Sequence, residues 1–156
     1  MAVIATFAAL ASALGTMLTV LRLRKAEEAS FFMEMTDRYN QPEMQEALRE
    51  LASWYKTNPT DFTEKWIRDL AGGAPEARAL DAHRRRVNRY FANVAQLYQS
   101  GYIDRRLASL ISNFGGLNIY YKVVVPMGDT AYGVQGDRYP ETLKRIRSQH
   151  GHGEIR

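Results

Sequence analysis

Four arginines fall within six residues of the stretch HRRRVNRYF, His83 to Phe91. On a helix Arg85 and Arg89 stand one turn apart and Arg86 lies beside Arg89, so Arg84, Arg85, Arg86 and Arg89 are the candidate contacts for an anion or an acidic partner. A short helix and AGG precede them, which is also the order of a helix-turn-helix, although the arginines sit mid-helix rather than at its start. The favoured alternative is a solvated or ion-paired face meeting Glu43, Glu46 and Glu50 of an acidic preceding helix. Nucleic acid is therefore the lesser reading.

Other residues with chemical potential do not assemble into a site. Gly128, Gly133 and Gly136 lack the Gly-Lys-Ser/Thr ending of a phosphate loop. His150 and His152 sit on a glycine-rich tail without further ligands, and His83 has no Glu or His partner at helical spacing. Glu27, Glu28 and Glu34 lack the Glu-x-x-His pairs of a di-iron bundle and read as a solvated face. No serine lies in a nucleophile elbow, and the chain has no cysteine, which removes disulfides, thiolate metal sites and a cysteine nucleophile. No catalytic residue, metal or cofactor is expected, and the chain reads as non-enzymatic.

The elements that would carry these residues are helical. Of 156 residues, 46% are hydrophobic and 24% charged, ordinary values for a globular chain with one modest core. The net charge is +4, and basic residues dominate after Ala71 while 41–70 holds six acidic against four basic side chains. No Gly or Pro lies between Thr16 and Gln41, so one helix should run through that stretch. Pro42 opens the next, with Met44, Leu48, Leu51 and Tyr55 at helical spacing. Asp61 and Glu64 are spaced as a capping box for a third, with Phe62, Trp66 and Leu70 on one face. After AGGAP a long helix carries Leu80, Val87, Phe91, Val94 and Tyr98 and stops at Gly101. Asp104 caps another, bearing Leu107, Leu110, Ile111 and Phe114. Tyr120 to Val125 has strand-like content but no strand to pair with, so helix is preferred. Pro126 to Pro140 reads as a turn-rich connector, Glu141 to Gln149 as a last helix, and the remainder as a frayed tail.

The beginning of the chain is different in kind. Met1 to Leu21 contains no charge, Asn, Gln or Pro, and about 20 such residues suffice to cross the hydrocarbon core of a bilayer. Arg22, Arg24 and Lys25 follow the apolar run rather than precede it, which is the order of a retained anchor and not of a signal peptide. Those three charges set the headgroup contact and the topology: N-terminus out, the remainder cytoplasmic, with no outer domain. Ala2, Ala5, Ala9, Ser12, Thr16 and Thr19 recur at spacings of three and four, opposite the bulkier Val3, Phe7, Leu10, Leu14, Met17 and Leu21. Such a small-residue face suits packing against another membrane helix; an alanine-rich span also produces such a stripe by chance.

RVNRYFANVAQLYQSGYIDRRL, Arg86 to Leu107, resembles the central stretch of a bacterial domain family of unknown function whose members often carry one N-terminal membrane helix. Gly101, Ile103 and Asp104 match its turn; Ala92 stands where the family favours Glu. The resemblance implies a helical cytoplasmic domain on an anchor and no particular activity.

Together these readings predict an all-α protein: one N-terminal transmembrane helix (1–24), a small cytoplasmic bundle of about four to six helices (25–140), and a terminal helix with a frayed basic tail (141–156). The expected role is a non-catalytic accessory or scaffold subunit at the inner membrane, with membrane lipid and other transmembrane helices, from its own kind or another, as partners. The alternative is a membrane-tethered nucleic-acid or anion-binding regulator using the arginines at 84–89.

Overall fold

The computed structural model describes residues 2–132, 143–145 and 148, and within α1 the side chains of residues 2–15, 18, 21 and 24 lie outside the described ones. The regular elements among the described residues are all helical, joined by short turns, with no strand among them. Among the described residues up to Tyr132, seven α-helices follow one another: α1 (Ala2–Asn40), α2 (Pro42–Thr57), α3 (Phe62–Ala71), α4 (Pro75–Gln99), α5 (Arg105–Ile111), α6 (Phe114–Ile119) and α7 (Val125–Tyr132), with a π-helical turn (Tyr120–Val124) before α7. The chain divides into two compact units, Met1–Met35 and Thr36–Arg156.

In the first unit, α1 is continuous, as the absence of helix breakers after Thr16 requires. Toward its start three described apolar side chains face outward: Met17, Val20 and Leu23 are 61%, 58% and 59% exposed. Thr16, Thr19, Arg22 and Lys25 are exposed as well. Ala2, Ala5, Ala9, Ser12 and Arg24 fall on side chains outside the described residues. Among the described residues no helix is long and apolar enough to cross a membrane.

The second unit is built around α4. Its buried residues Ala77, Leu80, Asp81, Arg84, Val87, Tyr90, Phe91, Val94 and Ala95 follow the three-and-four spacing of a helix with one inward face. Against it pack α2, α3, α5 and the π-turn; α7 covers α3, and α6 touches α2. α2 contributes Met44, Ala47, Leu48, Leu51 and Ala52, again one helical face. The core centres on Trp66, Phe91, Tyr120, Leu51, Leu117 and Met127, all fully buried. A row of rings, Tyr39, Tyr90, Phe91, Tyr120 and Tyr121, threads it with successive centroids 5.5, 5.2, 4.9 and 5.1 Å apart. These are the separations of attractive tilted and edge-to-face pairs.

Helix ends follow from local chemistry. α3 and α4 both close in Schellman motifs: Ala74 N–H reaches Asp69 O and Gly73 N–H reaches Leu70 O, and Tyr102 and Gly101 do the same to Leu97 and Tyr98. Gly73 and Gly101 hold φ of 78° and 73°, the left-handed conformation that this closure demands. Asp104 caps α5, its carboxylate 2.7 Å from Leu107 N. Asn113, at φ 33°, starts α6 by accepting from Gly115 N–H at 3.1 Å.

Two local expectations need correction. Asp61 makes no side-chain cap bond. Glu64, instead of returning to Asp61, accepts from its own backbone N–H and from the Thr63 hydroxyl at 2.8 Å; these donors hold its carboxyl below the usual value. The connector expected from Pro126 is helical to Tyr132, and Pro126 enters the helix directly after the π-helical turn Tyr120–Val124. The rest of that stretch lies outside the described residues, as do His150 and His152; the described residues of the expected terminal helix, 143–145 and 148, are helical.

Candidate functional site

The arginine cluster does not form one surface. Arg84 points into the core: its side chain is 5% exposed, and Nε and Nη2 both lie 2.9 Å from Oδ1 of buried Asp81. Its guanidinium lies 5.4 Å from the Trp66 ring centroid and 5.7 Å from that of Tyr132, a cation held between two aromatic faces. Arg85, 66% exposed, takes the other Asp81 oxygen through Nε at 2.7 Å. Arg86 is exposed and donates to the Glu43 backbone carbonyl at 3.1 Å, so it meets the acidic helix α2 through its main chain. Arg89 is exposed. Arg84 thus serves as an internal tie between α4, α3 and α7, which corrects its assignment as an anion contact; Arg85, Arg86 and Arg89 remain on the surface.

The cause is helix geometry. Asp81 sits three and four residues before Arg84 and Arg85, so both guanidinium groups reach one carboxylate. Val87 and Phe91 define the inward face, and Arg84 falls on the same stripe one turn earlier. Trp66 Nε1, also buried, has no hydrogen-bond partner among the described residues.

Two clefts flank α2. The first, about 340 Å³, is lined by residues of α2, α3 and α4 together with Asn58. Its chemistry is mixed in sign: Glu50 and Glu76 are acidic, His83 is half-buried, and Lys65 donates to Asn58 Oδ1 at 2.7 Å while sitting 5.1 Å over the Trp54 ring. Trp54 is fixed in turn by its Nε1 donating to Phe62 O at 2.9 Å. Sequence spacing could not place His83 and Glu50 in one cleft, because they come from different helices. Among the described residues no three His, Asp or Glu side chains are grouped to hold a metal ion.

The second cleft, about 490 Å³, runs along the other flank of α2, between Gln45, Leu48, Arg49, Ala52, Ser53 and Lys56 on one side and Tyr39, Gly115, Gly116 and Ile119 on the other. The charged groups that line it are both cationic. Within its far wall Gly116 and Tyr39 are in close contact: a Cβ at Gly116 would lie 2.5 Å from the Tyr39 hydroxyl oxygen. The Gly116 N–H donates to that oxygen, and burial nonetheless raises the Tyr39 pKa above its ordinary value. Tyr90, donating to Ile111 O at 2.9 Å, is raised more strongly, by burial first and by Tyr39 second.

Comparison with protein-family models, with curated proteins and with solved structures yields no match. The likeness carried by Arg86 to Leu107 rests on those residues alone.

Proposed function

We propose that this chain is a membrane-attached accessory or scaffold protein, held at the inner membrane by the first part of α1 and presenting the helical unit Thr36–Arg156 to a larger assembly on the cytoplasmic side. The observation that carries this reading is α1 itself. Its charge-free run Met1–Leu21 supplies the first half of a 39-residue helix, Ala2–Asn40, on which Met17, Val20 and Leu23 stand more than half exposed. Large apolar side chains on an isolated helix are costly in water and favourable in lipid or against another apolar helix. Most side chains of that run lie outside the described residues, so the apolar character is a property of its sequence. Arg22, Arg24 and Lys25 then favour the orientation with Thr36–Arg156 on the cytoplasmic side.

The role within an assembly is supported by the small-residue face Ala2, Ala5, Ala9, Ser12, Thr16 and Thr19, which lets another helix approach closely. Carbonate washing of membranes tests the attachment: the chain should stay with the lipid, and its release into the supernatant would refute the anchor. Purification in mild detergent tests the assembly. Ala9→Leu and Ser12→Leu should each loosen co-purifying proteins, whereas a clean monomer from the unsubstituted chain would overturn the scaffold role.

A further inference from the structure

The cleft between α2 and α6 has features of a binding groove that membrane attachment does not explain. Gln45, Leu48, Arg49, Ala52, Ser53 and Lys56 lie at helical spacings of three and four, so the groove follows one flank of α2 for about 16 Å. Its volume of about 490 Å³ is within the range of small-molecule sites. Leu48 and Ala52, both buried, and half-buried Ile119 give it an apolar floor. Arg49 and Lys56 stand two turns apart above that floor, with Ser53 between them. Among the described residues, no Asp or Glu lines the groove and neither cation is paired with a carboxylate.

The opposite wall explains why the space is open. Gly115 and Gly116 present bare backbone to the groove. At Gly116 the absence of a side chain is required by Tyr39. At Gly115 it is not: a Cβ there would meet only Asn113 Oδ1, at an ordinary 3.6 Å. Two uncompensated cations with a hydroxyl between them favour a polyvalent anion, and a guanidinium fork matches phosphate oxygens in particular. The apolar floor suits a ligand that is not anionic throughout.

We propose that this groove binds a phosphate-bearing amphiphile, its phosphate held by Arg49, Ser53 and Lys56 and its apolar part laid along Leu48, Ala52 and Ile119. The reading is independent of how the chain attaches to the membrane. It also contrasts with the first cleft, where Glu50 and Glu76 would oppose an anion.

The test uses the full chain in phosphatidylcholine nanodiscs, titrated calorimetrically with dihexanoyl phosphatidic acid and, separately, with inorganic phosphate. Saturable binding of dihexanoyl phosphatidic acid is expected. It should weaken at least tenfold in Arg49→Gln/Lys56→Gln and also in Gly115→Leu, which adds a bulky apolar side chain at a lining position without altering charge. Arg105→Gln/Arg106→Gln, which removes the same charge from exposed positions on α5, should bind normally. Inorganic phosphate failing to compete assigns the phosphate to a lipid; competing at equal strength assigns it to a soluble phosphate ester. Absence of saturable binding by either probe, equal loss in both double variants, or equally tight binding of dihexanoylglycerol, which lacks the phosphate, would overturn the proposal. Circular dichroism of each variant separates lost binding from lost fold.

Discussion

Arg84 and Asp81 show what burial does to a charged side chain. The pair is desolvated, so its own attraction largely offsets the cost of leaving water, and the large effect appears when one partner is removed. Asp81→Ala strands the Arg84 guanidinium between Trp66 and Tyr132 and should cost about 3–5 kcal/mol in chemical denaturation. Arg89→Ala, on the exposed side of the same helix, should stay within about 0.5 kcal/mol. Equal costs for the two substitutions would refute the distinction between an internal tie and a surface charge. Gly116→Ala is a second residue-scale case. The new Cβ would collide with Tyr39, and overpacking of this kind costs about 1–3 kcal/mol. Tyr39→Phe should restore only part of that, because the ring carbon Cε2, 2.9 Å from the Cβ position, remains. The two raised tyrosines give a pH prediction. Neutral tyrosine is favoured in the folded state, so the unfolded chain ionises first as pH rises past the ordinary value of 10. Stability is therefore constant in this respect below about pH 10 and falls above it. Urea midpoints followed from pH 8 to 11 should decline at the alkaline end, and less steeply in Tyr90→Phe.

At the scale of elements, the two N-termini that the sequence presents as capped differ in the structure. Asp104→Ala removes a made hydrogen bond and should cost about 1 kcal/mol. Asp61→Ala removes none and should be close to neutral; a full cap penalty at Asp61 would contradict the geometry at Thr63 and Glu64. Which of these was legible follows from how local the cause is. The stops at Gly73 and Gly101 could be read directly, since a left-handed residue there needs only the glycine and the preceding carbonyls. The inward stripe of α4 was legible from Leu80, Val87, Phe91 and Val94. That Arg84 belongs to the same stripe was not, because hydrophobic periodicity treats an arginine as outward, and only Trp66 and Tyr132, contributed by α3 and α7, make its burial tolerable. The π-turn at Tyr120–Val124 had no sequence signal beyond a doubtful strand, and the helix that continues through Pro126 replaced an expected loop.

For the molecule as a whole, the division at Met35 and Thr36 carries its own prediction. Thr36–Arg156 contains the α4-centred core and the full aromatic row, so this fragment should melt cooperatively by circular dichroism with a midpoint near that of the full chain. Non-cooperative loss of helix would show that the core depends on the preceding segment. The sequence alone determined the helical class, the uninterrupted α1, the charge-free run with its trailing cations, and most helix ends, because these depend on residues within a turn or two of one another. The tertiary structure decided which charges are hidden, that His83 shares a cleft with Glu50, and that Arg49 and Lys56 line an open groove with two glycines on its other side. Those arrangements join residues far apart in the chain. Their physical cause is the packing of α2, α3, α6 and α7 around α4, which no spacing within a single helix encodes.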